Sequence, residues 1–494
     1  MLDTVFRTAA RGSRGDLPGT RTLLARYLLA GVAAGALLGA PLLGTAHAAD
    51  MATKAPAAAA PAEEEAEPSI APQLGWLGDW GGYRPKLAEA GIKIGVNYIG
   101  ELWRNTEGGL GTGTAYNGRF QFSLDADLDK LFNWKGATFH ASVLQIQGSG
   151  FSGQYLGNIM GVSNVDALST TRLFELYIEQ AFGDGKSSIR FGQLSADSEF
   201  AISDNGSLFL NSTFGWPALF AADLPSGGPA YPLATPGVRV KWVPNDEWTV
   251  LVGLFNGNPA PCCGDPQEEN KYGLNFIVDQ GVFVIGEVAY SYNKAENAAW
   301  LPGTVKVGGW YNSNSFNSQV YDIFGVPLAS PASIGLPNQI QGDYAFYAII
   351  DQMIWRKPGT KDKGISVFGR VTAAPSEQNQ LGFYWDGGIT FKGLVPGRED
   401  DSFGVAFGNA RVTNAAQQAD LYTALYNGSY YPIRSSETVL EVTYSAQVMP
   451  GWTIQPDFQY IWNPGGGVLN PNDPLGISLV KNAAVFGVRT TINY

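Results

Sequence analysis

The stretch Gly118–Asp129, GRFQFSLDADLD, decides the reading of this chain. Phe120, Phe122, Leu124, Ala126 and Leu128 fall on one parity, and Arg119, Gln121, Ser123, Asp125, Asp127 and Asp129 fall on the other. Successive side chains of a strand point to opposite faces, so the segment has one oily side and one charged side. A strand in a soluble sandwich would alternate in the same way. Repetition separates the two readings. Segments of about ten residues with aromatic-rich apolar parity recur to the end of the chain, and short turns alternate with long loops between them. That is the pattern of a transmembrane β-barrel, with lipid against the apolar parity and a lumen against the polar one.

Composition agrees. Charged residues make up 15% of the 494, against about 25% in ordinary soluble proteins, while aromatics reach 12%. Beyond the N-terminal region no apolar run approaches the roughly 20 residues that a membrane helix needs. A membrane protein without spanning helices must close its sheet, because lipid cannot satisfy loose backbone groups. A pI near 4.8 argues against nucleic acid as a partner.

The first residues read as an export signal. Arg7, Arg11, Arg14, Arg21 and Arg26 precede the apolar run Tyr27–Leu43, and Ala46 and Ala48 suit cleavage after Ala48. A helical anchor is the alternative, but the run is short for one. Residues 49–73, rich in Ala, Pro and Glu, form a leader that cannot bury a core. Residues 74–91 favour a short periplasmic helix that stops at Gly91, and residues 92–494 make the barrel.

Sixteen strands are predicted. Seven lie near 92–103, 118–129, 137–147, 171–182, 187–193, 237–242 and 248–256. A long one at 272–292 keeps its parity through Asp279-Gln280-Gly281. The rest lie near 303–312, 342–355, 364–373, 380–391, 401–412, 437–447, 452–461 and 484–494. With the N-terminus periplasmic, the short turns Lys130–Gly136, Gly183–Lys186, Val243–Glu247 and Val448–Gly451 share one side. The longest loop, Leu194–Pro236, is the third on the other side. Its Phe209, Phe214, Trp216, Phe220 and Tyr231 would be a liability in open solvent, so it is expected to fold into the barrel and narrow it.

Several blocks carry a resemblance. Trp76-Leu77-Gly78-Asp79-Trp80-Gly81-Gly82 with Arg84 and Leu87 resembles the opening of the carbohydrate-selective porin family (OprB type). Trp134–Phe139, Thr171–Leu176 and Arg190–Gln193 are similar to further blocks of that family. The longest match is Leu208–Pro217 continuing into Leu224–Pro232, and the similarity covers about Leu74 to Tyr494. The resemblance implies an outer-membrane porin for carbohydrate solutes with an inward-folded third loop. It leaves open whether three barrels associate as a homotrimer. The alternating last strand ends on Tyr494 and resembles the signal read by the outer-membrane assembly machinery.

Catalytic chemistry finds little support. After signal removal His140 is the remaining histidine, it lies in a predicted strand, and no Gly-x-Ser-x-Gly elbow accompanies it. A hydrolase built on paired carboxylates stays open from residue types alone. Cys262 and Cys263, the two cysteines, form a Pro-Cys-Cys-Gly apex whose vicinal disulfide would be strained, and a metal site there lacks ligands. No cofactor is expected.

The inward parity mixes acids and bases, which suits neither an anion pore nor a cation pore. Arg119, Arg190 and Arg239 are expected to face Asp125, Glu175 and Glu179 across the lumen, with Asp127 and Tyr177 on the same wall and Trp216 on the third loop. Guanidinium forks donate to hydroxyls, carboxylates accept from them, and aromatic faces stack on the apolar side of a sugar ring. A general diffusion porin would share every barrel feature while remaining indifferent to the solute.

Overall fold

The computed structural model describes residues 68–494 except 184, 262, 263, 295–297, 299 and 429. The export signal, most of the leader and the Cys262-Cys263 apex lie outside the described residues. Ala71–Leu77 forms a 3-10 turn and Tyr83–Glu89 a short helix, α1. Sixteen antiparallel strands then close on themselves, β1 pairing with β16.

The strands are β1 Ile92–Gly109, β2 Gly113–Asp127, β3 Ala137–Gln147 and β4 Thr170–Phe182. Next come β5 Ser187–Leu194, β6 Thr235–Trp242, β7 Trp248–Asn256 and β8 Val282–Tyr292. The third quarter is β9 Gly303–Asp322, β10 Pro337–Arg356, β11 Gly364–Ala373 and β12 Leu381–Lys392. The last is β13 Ser402–Val412, β14 Ser436–Met449, β15 Trp452–Trp462 and β16 Lys481–Asn493.

Closure removes every sheet edge, which is what lets a sheet stand in lipid. The parity read from Gly118–Asp129 holds through Asp127. Phe120, Phe122 and Leu124 stand 37%, 48% and 38% exposed on the outer surface, while Arg119, Gln121 and Ser123 turn inward. The last two residues of that stretch are not strand. Asp127 accepts from the backbone N–H groups of Asp129 and Lys130, so Leu128–Phe132 forms a helical turn, α2, at the short-turn end.

The predicted strand 272–292 is shorter than expected and begins at Val282. Gly281 takes a φ of +70° and breaks the line. The residues before it make no strand pairing with β9, whose ladder with β8 ends at Asn312↔Phe283. They cross instead to β4. Tyr272 O accepts from Leu173 N–H at 3.0 Å, and Gly273 O accepts from Gln193 Nε2 at 3.0 Å. β5 and β6, at eight residues each, leave the upper edge of β4 unpaired, and this segment covers it.

The third long loop, L3 (195–234), folds into the lumen. Its Phe209, Phe214, Leu219 and Phe220 are at most 1% exposed. They meet inward rings of the wall: Phe209 on Phe368 at 5.6 Å, and Phe220 on Trp310 at 5.9 Å and on Tyr347 at 5.7 Å. Ala218–Asp223 forms a helical turn, α3, within it. Backbone groups carried into a barrel need partners, and the wall from β8 to β15 supplies them. Glu441 accepts from Leu210 N–H and Asn211 N–H, Glu287 from Ala201 N–H, and Asp351 from Asn205 N–H. Arg370 donates to the carbonyls of Ala201, Thr213 and Gly215.

Candidate functional site

L3 is tied along β8–β15, with Glu175 of β4 and Arg239 of β6 holding its first residues, and the lumen stays open toward β16, β1 and β2. A cavity of about 420 Å³ lies there, lined by Arg119, Arg489, Trp216, Tyr231, Asp166 and Asp197 among others. Asp166 comes from the second long loop, L2 (148–169), whose end of the barrel this cavity faces.

The charges in the cavity are unequal in kind. Arg489 donates to Asn164 Oδ1 at 2.5 Å and its Nε to Glu101 Oε1 at 2.6 Å, so it is neutralised within the wall. Asp166 accepts three backbone N–H groups, from Ser149, Gly150 and Phe151. Burial still raises its carboxyl above the usual range, with those bonds opposing. Burial pushes Asp197 up to about 6, against the N–H of Tyr231 at 2.8 Å. Arg119 differs. It donates to Asn97 Oδ1 at 2.8 Å, lies 5.7 Å from the Tyr231 ring centre, leaves its Nε without a partner, and makes no ion pair among the described residues. Trp216 is fixed edge-on to Phe220 at 5.1 Å, with its indole N–H on Gly227 O.

A second group of charges lies on the same wall nearer the short-turn end. Arg190 and Arg239 both reach Glu179 at 2.9 Å. Arg239 Nε also donates to Glu199 of L3 at 2.6 Å, and Arg190 lies 3.6 Å from that carboxylate. The Arg190 guanidinium sits 4.1 Å from the centre of the Tyr177 ring, which in turn stacks on His140 at 4.8 Å. His140 Nδ1 and Asp125 share a 2.6 Å hydrogen bond.

The structure therefore brings Tyr177, Glu179, Arg190 and Arg239 into one cluster and puts Arg119 and Trp216 in the cavity above it. The pairs run along the wall between neighbouring strands, not across the lumen as the sequence suggested. Strand neighbours with matching register are closer to each other than to the far wall, and Arg190↔Glu179 and Arg190↔Arg239 are register pairs. Glu175 is buried and holds the start of L3, accepting from Ser195 N–H at 3.1 Å. Asp127 caps α2. Sequence reasoning missed Glu199, Asp197 and Asp166, which lie on loops where parity carries no signal. It missed Glu101 too, although that residue shares its strand's parity with Trp103 and Asn105 and all three are buried.

The family model described as "Carbohydrate-selective porin, OprB family" matches residues 111–494. The chain belongs to that family. Porin B of Pseudomonas aeruginosa is 24% identical over 443 residues, covering 85% of this chain and 92% of that protein. The putative porin QuiX of Acinetobacter baylyi is 22% identical over 449 residues, with 85% and 92% covered. Among solved structures, Pseudomonas putida OprB at high pH superposes with a TM-score of 0.73 at 22% identity, covering 84% of this chain and 97% of that one. The protein is thus a porin of the bacterial outer membrane, a channel and not an enzyme. The short-turn end is then periplasmic and the long-loop end external.

Proposed function

We propose that this porin conducts small neutral sugars and similar polyols by passive diffusion, and that the cavity between L3 and the β16–β1–β2–β4 wall is where it recognises them. The observation that carries the reading is Arg119. It is a cation lining the cavity with no ion pair among the described residues and an Nη1 that makes no hydrogen bond among them, set beside Tyr231 in a lining that also holds Trp216. A sugar offers hydroxyl acceptors to the guanidinium and an apolar ring face to the aromatics. Arg489 is paired with Glu101, and Arg119 shares the cavity with the carboxyl groups of Asp166 and Asp197, so the lining mixes both signs rather than presenting a ring of one.

Below it, the Glu179–Arg190–Arg239–Glu199 cluster presents a balanced surface along the path to the periplasm. A solute must leave as easily as it arrives, so affinity is weak by design of the function. The test is sugar block of ion current through the reconstituted porin. Arg119→Gln and Trp216→Ala should each relieve block by a monosaccharide while leaving assembly intact. If the parent passes sugars and amino acids of equal size at equal rates, the protein is a general diffusion porin and this reading fails.

A further inference from the structure

A second cavity, of about 670 Å³, lies on the opposite wall beneath L3, within the about 300–1,000 Å³ of sites that hold small molecules. Its sides are β9, β10 and the periplasmic turn after β10, and its roof is Asp204 and Asn205 of L3. Three polar groups at this cavity have bonding capacity that the protein does not use.

The first is Arg356. β10 bulges between Met353 and Trp355, so its parity slips by one and Arg356 joins the inward set that includes Asp351. Its Nε has no hydrogen-bond partner, and its guanidinium makes no ion pair among the described residues. The second is Asp351, 5% exposed. One carboxylate oxygen accepts from Ser203 Oγ at 2.7 Å, Asn205 Nδ2 at 2.8 Å and Asn205 N–H at 3.1 Å, and the other accepts nothing. The third is Asp204, whose carboxylate stands exposed at the L3 edge and has no partner among the described residues.

An anion in this cavity would meet the carboxylates of Asp204, Asp351 and Asp362, and a cation would meet Arg356, Lys294 and Lys361. A neutral molecule with neighbouring hydroxyls suits both signs at once, accepting from the Arg356 guanidinium and donating to the exposed Asp204 carboxylate. We propose that the cavity is a second sugar site, on the periplasmic side of the constriction, holding a solute that has passed L3 before release. It rests on the reading of the porin as a sugar channel. It differs from the first site in wall, in side of L3, and in every residue.

The two sites separate by sidedness. Maltose is added to one face of a planar bilayer holding porins inserted in one orientation, and block of the ion current is measured. The combined variant R356Q/D204N should weaken block from the periplasmic face about tenfold, the loss of a charge-assisted hydrogen bond, and leave block from the external face unchanged. Arg119→Gln should do the reverse. Asp351 is left intact because it also holds L3. Heat-modifiable electrophoretic mobility confirms that each barrel is assembled. Periplasmic block equal to the parent's in R356Q/D204N would overturn the second site alone. Absence of block in the parent from both faces would overturn the sugar reading and this site's ligand with it.

Discussion

Removing Arg370 should free L3 while leaving the barrel standing. Its guanidinium is fully enclosed in the lumen between β11 and L3. It donates to Asp386 at 2.9 and 2.5 Å, and to the L3 carbonyls of Thr213 at 2.6 Å and of Ala201 and Gly215 at 2.7 Å. In Arg370→Met the three carbonyls lose bonds worth about 1.5–3 kcal/mol each when the donor is charged, an upper bound because water can replace some of them. Asp386 is left buried with the Tyr384 hydroxyl as its remaining side-chain donor among the described residues, and breaking such a pair costs about 3–5 kcal/mol. The two costs overlap, so about 4 kcal/mol is a reasonable net figure, which shifts the docked-to-free ratio of L3 about a thousandfold. The barrel's own ladder is untouched, since the strand register does not depend on this side chain. Single-channel recording should then show larger, noisier conductance and loss of sugar block. Adding Asp386→Asn should recover part of the docking, because much of the cost is the stranded carboxylate. An assembled Arg370→Met porin with parental conductance and parental sugar block would refute the idea that this anchor holds the constriction.

Face assignment and pH give two further tests. Phe122→Arg should impair assembly, since an outward Arg at the membrane midplane costs about 2–4 kcal/mol, whereas Ser123→Arg should assemble and alter conductance; heat-modifiable mobility reads both. Asp197 should make L3 docking pH-dependent: burial, reinforced by the Glu175 carboxylate, holds its folded value near 6, above the about 3.9 of a free Asp, so the folded state binds the proton more tightly. Docking stability from this group is therefore fully present below about pH 4 and is lost as pH rises through about 6, and current noise should grow across that interval and flatten in Asp197→Asn.

The barrel was legible because a strand's period of two writes each wall onto the sequence, and Gly118–Asp127 shows both faces at once. The miss at 272–281 has a plain cause. Parity reports alternate exposure of an extended chain, and Leu274, Phe276 and Val278 are indeed exposed, but it cannot report that β9 offers no pairing partner there. The inward fold of L3 followed from its aromatic content, since Phe209, Phe214 and Phe220 had nowhere in solvent to go. The arrangement of charges was not legible. Which Arg meets which carboxylate depends on register between strands far apart in sequence and on loop residues such as Glu199. For the same reason Arg119, not Arg190, is the residue to test first at the constriction: Arg190 is already paired with Glu179 and stacked on Tyr177.

That lateral pairing is also what permits a lumen so rich in charge to handle a neutral solute. A buried charge left alone would be costly, and a row of free Arg or Glu would draw counter-ions and make an ion filter. Glu179 shared between Arg190 and Arg239, with Glu199 closing the group, removes the net field while keeping polar groups on the wall. On the reading proposed above, selectivity is concentrated where partners are missing. Arg119 beside L3 and Arg356 beneath it are inward guanidinium groups with an unpartnered Nε and no ion pair among the described residues. On the same reading, a solute would meet Arg119 where L3 faces the β16–β1–β2–β4 wall and Arg356 on the periplasmic side of L3.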